Sequence, residues 1–227
     1  MSAAELEILS TSFAVAWRAL LFCLPLAIAV AFLLSRPSTP GRLLLDGLVH
    51  APVILPPVLV GFLLLLAFGR RGPIGGPLEQ WFGIHLAFTT AGAALATAVM
   101  VFPLLVRSIR LAFESTDAGL FEAAAMLRAG PWDRFASIAL PLAGPGILAG
   151  AVTAFAAAMG EFGAVITFAA NIPGQTRTLP LAIYTMLQQP GGEIEAMRLA
   201  AMSFAVALLG LIAAEMLQRR ARKRLLG

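Results

Sequence analysis

Apolar positions in this chain come in long blocks separated by short polar stretches, and those blocks define its elements. Blocks of about 20 mainly apolar residues, the length that crosses a bilayer as a helix, run from Ser12 to Leu34, Leu48 to Phe68, Leu86 to Val106, Leu142 towards Ala170, and Ala196 to Leu217. The pattern predicts an all-α membrane protein, a polytopic bundle of about five transmembrane helices forming one domain over residues 1–227. Pro56-Pro57 sits inside the second block. Two prolines remove two donors and disfavour helix at the residue before each, so this span is expected to be kinked or broken, its irregular part facing protein or a water-filled path. The third block is rich in Ala and Gly, and the fourth holds Gly146 and Gly150 at GxxxG spacing, surfaces that permit close helix packing.

The polar stretch from Arg107 to Pro141 carries helix signals of its own. Ser115, Thr116 and Asp117 offer N-cap oxygens, Ala, Leu and Met fill the following turns, and Gly130-Pro131 reads as a stop. A helix is therefore predicted from Asp117 to Gly130, with Leu120, Ala123, Ala124 and Leu127 on one face and Glu122 and Arg128 facing elsewhere. A short helix held outside a membrane with a small-residue surface suits docking to another protein. The stretches from Gly69 to His85 and from Asn171 to Glu193 read as polar loops, with Trp81 and Phe82 at headgroup level.

Composition agrees: 59% of the 227 residues are hydrophobic and 12% charged, and the mean hydropathy is +0.89. The basic residues follow loop positions instead of forming one stripe, which excludes a nucleic-acid partner and sets topology. The tail, residues 218–227 with Arg219, Arg220, Arg222, Lys223 and Arg224, is expected in the cytoplasm. Counting back places Arg36, Arg42, Arg107, Arg110, Arg128 and Arg134 inside, and Arg70, Arg71, Arg177 and the acidic N-terminus outside. No cleavable signal peptide is expected at an N-terminus without basic residues.

The chain has no GxxxxGK[ST] motif, and its only lysine is Lys223, so it holds no P-loop and is expected to be no enzyme. His50, His85 and Cys23 are scattered, and no metal site or cofactor is expected. Glu161 is the one acid deep in an apolar block, flanked by Gly160, Phe162 and Gly163. An intramembrane carboxylate is costly and marks a functional candidate. A continuous helix from Leu142 would carry it towards the outer face, where pairing with an arginine, capping a broken helix and forming an outer gate are the open roles. Pro56, Pro57, Gly160, Glu161, Phe162 and Gly163 are the pathway or gate candidates.

Glu122-Ala123-Ala124, followed at the right spacing by Ile138, Leu140 and Pro141, resembles the EAA loop of permease subunits of bacterial ABC importers. One position departs: Arg128 stands where the family pattern has glycine. The stretches Leu48–Gly75, Met159–Pro180 and Tyr184–Glu193 resemble the molybdate branch of that family more than its sulfate branch. The resemblance implies a homodimeric membrane pore with two separate ATP-binding subunits, which carry ATP and Mg, and a periplasmic molybdate-binding protein, all at the bacterial inner membrane. It makes the stretch from Asp117 to Gly130 a coupling helix. Its contact residues would be Glu122, Ala123, Ala124, Leu127, Arg128, Ala129 and Gly130, with Trp132, Phe135 and Pro141 at the return to the membrane. Sulfate, thiosulfate or tungstate as substrate, and an ATP-independent channel or carrier, are the alternatives.

Overall fold

A computed structural model describes residues 2–37 and 39–226, excepting the side chains at 214, 217, 218 and 220–226. Within the basic tail only Arg219 is therefore described, paired with Glu215 at 2.7 Å; Arg220, Arg222, Lys223 and Arg224 lie outside the described side chains. Every regular element among the described residues is helical: α1 (Ala3–Ser35), α2 (Arg42–Ile54), α3 (Pro57–Phe68), α4 (Gly75–Phe82), α5 (Thr90–Glu114), α6 (Ala118–Met126), α7 (Pro131–Arg134), a π-helical turn (Phe135–Ala139), α8 (Leu140–Met159), α9 (Gly163–Ala169), α10 (Leu179–Leu187) and α11 (Glu193–Leu226). Four described helices are long and apolar enough to cross a membrane, or five when the bent pair α2–α3 counts as one span.

α1 begins at Ala3, ahead of the expected Ser12, because Ser2 and Glu5 close a capping box: the Glu5 amide donates to Ser2 Oγ at 3.2 Å and the Ser2 amide to Glu5 Oε2 at 2.7 Å. Glu5 is buried and pairs with Arg198 of α11 at 2.9 Å, so the acid fastens the first long helix to the last. Ser12, also buried, accepts the Leu179 amide of α10 at 2.7 Å.

The centre of the bundle is built from small side chains. Ala16, Ala19, Ala27 and Ala31 of α1 and Ala98, Leu105 and Ile109 of α5 are buried in one cluster, which also takes Ala154 and Ala158 of α8. The spacing of Gly146 and Gly150 has a concrete use: a Cβ on Gly146 would stand 2.3 Å from Ala112 Cβ, and one on Gly150 would stand 3.0 Å from Ser108 Cβ. α8 thus seats directly on α5, as small-residue interfaces allow.

Two expected spans are interrupted. α2 and α3 meet at Leu55-Pro56 with a bend of 115°. The fourth span is continuous from Pro131 to Met159 but then breaks at Gly160–Phe162, and α9 follows as a separate short helix. The stretches expected as polar loops also contain helices, α4 and α10, and Leu179, Leu181 and Ala182 of α10 are buried.

The two broken spans pack on each other. A Cβ on Gly61 of α3 would lie 2.6 Å from the Ala164 carbonyl oxygen of α9, and one on Gly163 would lie 2.6 Å from Pro57 Cβ. Gly61→Ala is expected to lower stability by about 1–3 kcal/mol, because the added methyl meets backbone that cannot step aside. Gly47→Ala, in open space on α2, should be neutral or slightly stabilising. Thermal unfolding of the two variants in one detergent checks the contrast.

Candidate functional site

The first candidate site is the segment from α5 to α8. α6 starts where Asp117 Oδ1 accepts the Gly119 amide at 2.8 Å, so the expected N-cap is present. Its end differs from the expectation. The helix stops at Met126, not Gly130, and Arg128 adopts φ +61°. The Arg128 amide donates to Ala125 O and the Ala129 amide to Ala124 O, both at 3.0 Å. That is a Schellman cap with an arginine at the position where glycine is the usual residue. Arg128 thus takes, in this chain, the left-handed turn conformation that favours glycine, at the position where the EAA pattern has glycine. Gly130 is extended and, with Pro131, starts α7 instead of ending α6.

No residue of α6 is buried. Met126 and Leu127 are 86% and 84% exposed, and Glu122 and Ala123 are exposed, whereas Ala124 and Ala129 are half-buried. The return to the bundle is firm by comparison. The Phe135 ring packs on Phe32 of α1 at 4.5 Å and on exposed Trp132 at 5.5 Å, and Arg36 lies 4.1 Å over the Phe32 ring. The π turn precedes Pro141, which donates no hydrogen bond and crowds the carbonyl four residues back; the widened turn accommodates it.

An ionic chain that the sequence reading did not assemble joins the start of this segment to α2. Arg110 donates to Glu114 at 2.8 Å and to Asp46 at 3.1 Å, Arg42 reaches Glu114 at 3.4 Å, and His50 stands 3.3 Å from Asp46. The i,i+4 spacings of Arg110 with Glu114 and of Asp46 with His50 were its local signals; the link from Arg110 to Asp46 depends on the fold. The structure also places Arg107 and Arg110 within α5, not in a polar loop.

The second candidate site is the pair of facing breaks. Pro56 and Pro57 are exposed at one break, and Gly163 contacts Pro57 from the other. Glu161 is half-buried, and its Oε1 accepts the Ala164 amide at 3.0 Å. Of its three open roles the geometry shows the cap: a carboxylate at the positive end of α9. No arginine pairs with Glu161 among the described residues. Phe162 packs against Tyr184 of α10 at 5.2 Å, and Gly160 is exposed. Gly61 and Tyr184 complete this site and had not been singled out; an isolated glycine inside an apolar span was the available signal for the first. Among the described residues no three His, Cys, Asp or Glu side chains gather as a cation would require.

The family described as the binding-protein-dependent transport system inner membrane component matches residues 24–225. The chain belongs to that family. Among its relatives, the molybdenum transport system permease protein ModB of Escherichia coli K12 is 55% identical over 206 residues, covering 91% of this chain and 90% of that one. The protein of the same name from Haemophilus influenzae is 47% identical over 221 residues, covering 97% and 96%.

Solved structures give the same architecture. A bacterial alginate ABC transporter in complex with an alginate pentasaccharide-bound periplasmic protein superposes with a TM-score of 0.77 at 18% identity, covering 97% of this chain and 80% of that one. The inward-facing MetNI methionine ABC transporter does so with a TM-score of 0.74 at 16% identity, covering 97% and 99%. At such identities the likeness establishes the fold alone.

Two outcomes are expected for this membrane component. Arg128→Gly should raise its stability by about 0.5–1 kcal/mol while Arg128→Ala stays near the original, because only glycine escapes the left-handed penalty. Glu161→Gln, which keeps an acceptor for the Ala164 amide, should retain stability, whereas Glu161→Ala should lose about 1 kcal/mol. Thermal unfolding reads both series; equal losses in Gln and Ala would show that charge, not the acceptor, holds α9.

Proposed function

We propose that this chain is the membrane-spanning subunit of an ATP-driven molybdate importer, working as a homodimer with two ATP-binding subunits and a periplasmic molybdate-binding protein. The near full-length identity to proteins named as molybdenum permeases carries this reading. In it the N-terminus faces outward and the basic tail lies in the cytoplasm, so α6 sits on the cytoplasmic side. ATP and Mg belong to the partner subunit.

The geometry supports a coupling role for α6. A short helix capped at both ends moves as a unit, and the exposed Ala123 and Met126, with Leu127 at its C-cap, form an apolar surface that the described residues leave uncovered. Glu122 adds a charge at that surface. Displacement of α6 passes to α5 through the short Ser115–Asp117 link, and to α1 through the Phe32–Phe135 contact. The Arg42–Glu114 and Arg110–Asp46 pairs extend it to α2, whose far end is the Pro56-Pro57 break. A pull from the ATPase therefore reaches the facing breaks through packed elements. The substrate dianion needs a path without a tight site, and Glu161, engaged in capping α9, serves as a structural part of the gate and not as a ligand.

The assembled transporter in proteoliposomes, with ATP inside and loaded binding protein outside, should take up radiolabelled molybdate. Sulfate should compete weakly, and omission of the ATPase should abolish uptake. Preferential sulfate or tungstate uptake would reassign the substrate, and uptake by the permease alone would remove the coupling reading. Glu122→Lys should reduce uptake by about tenfold or more with the membrane fold intact, through a like-charge or unpaired contact at the interface. Unchanged uptake and ATPase stimulation would exclude Glu122 from coupling.

A further inference from the structure

The end of the bundle opposite α6 holds a cavity that none of the roles above uses. It has a volume of about 690 Å³ and opens beside Leu65 and Leu66 towards the end of α3, the helix that also packs on α9 through Gly61. Arg70, Arg71, Glu79, His85, Thr89 and Gln175 supply its polar lining. Arg70 pairs with Glu79 of α4 at 3.4 Å. Arg71 is exposed and forms no ion pair among the described residues. Two guanidinium groups thus stand against one carboxylate.

The turn carrying the arginines is built, not loose. The Gly72 amide donates to Gly69 O at 2.8 Å and the Ile74 amide to Ala67 O at 3.0 Å, folding the turn back over the end of α3. A Cβ on Gly72 would stand 2.4 Å from Leu66 O, and one on Gly75 would stand 2.2 Å from Phe68 O, so both positions need glycine. Arg70 and Arg71 are therefore held at a fixed place over one wall of the broken span. The cavity is far larger than a single tetrahedral ion, and its arginines are solvated, which suits attraction without tight retention.

We infer that this cavity is the outer receiving vestibule for a tetrahedral oxyanion dianion, with Arg71 as its principal attracting charge and Arg70 held in reserve by Glu79. The inference rests on the oxyanion-importer reading. It places the positive field where the ion leaves the binding protein, so that the ion moves towards α3 instead of returning to bulk water.

The test uses the complete transporter in proteoliposomes at low ionic strength, with molybdate-loaded binding protein titrated outside. Arg71→Glu should lower the maximal uptake rate about tenfold, Arg71→Ala less, and Arg71→Lys little. The concentration of binding protein giving half-maximal rate should stay constant. Glu79→Gln, which releases Arg70, should raise the rate, and all these differences should shrink at high salt. Normal gel filtration and basal ATP hydrolysis confirm assembly. A shift confined to the half-maximal concentration would overturn the vestibule and show that Arg71 docks the binding protein; so would rates unaffected by all four variants. Failure of the unmodified transporter to move molybdate, tungstate or sulfate would instead remove the reading beneath the inference.

Discussion

Hydrocarbon offers no partner to a freed backbone donor or acceptor, and this chain interrupts its helices twice inside apolar spans. It meets the constraint by turning the two interruptions towards each other. Gly61 lets α3 approach the Ala164 carbonyl, Gly163 lets α9 approach Pro57, and Glu161 supplies the acceptor that the Ala164 amide would otherwise lack. The prolines contribute by omission: Pro57 begins α3 where a missing amide costs least. The two breaks thus face each other in one place, with Pro56, Pro57 and Gly160 still exposed in this chain, and the rest of the bundle, the alanine-lined packing of α1, α5 and α8 above all, can stay regular.

Under the proposed coupling role of α6, that division of labour gives a push on this short helix a route through the bundle. Close packing of small side chains makes α1, α5 and α8 poor at absorbing displacement, and the ionic chain from Arg42 to His50 binds α2 to the same frame. α3 and α9 meet through glycine contacts at Gly61 and Gly163 instead, with Ala164, Val165 and Phe168 of α9 buried, and under the proposed gate role these two elements beyond the breaks are the ones that move. Proteins with two discrete arrangements switch through such rigid bodies and short hinges, and Leu55-Pro56 and Gly160–Phe162 have the form of hinges.

Much of this was legible in the residues. A double proline inside an apolar block has few structural outcomes, and the break at Pro56-Pro57 was among them. The alanine-rich third block and the GxxxG spacing announced close packing, and Ala93, Ala96 and Ala98 are indeed buried. The N-cap of α6 was readable because Asp117 precedes a run of good helix formers. The end of α6 was not. Gly130-Pro131 looks like a stop, but the same dipeptide is equally a start, with glycine as N-cap and proline at the first helical position. The true stop is Arg128, whose left-handed strain of about 1–2 kcal/mol is offset by the paired hydrogen bonds of the cap. α10 was hidden for another reason: its nine residues are too few to stand out from a polar stretch, and only burial against α1 and α11 makes them a helix.

Arg128 and Glu161 carry the same lesson about reading substitutions and lone charges. At Arg128 the residue departs from the EAA pattern, yet the backbone is left-handed as a glycine would readily be, so what the position requires here is a conformation rather than a particular side chain. At Glu161 an acid in an apolar block invites a search for a cation, yet its partner is an amide three residues along the chain. Both cases arise at helix ends, where unsatisfied backbone groups set the local demand. A membrane protein that breaks its helices multiplies such ends, and polar or strained residues will gather at them for that reason alone. Function at these positions follows from which ends are free to move.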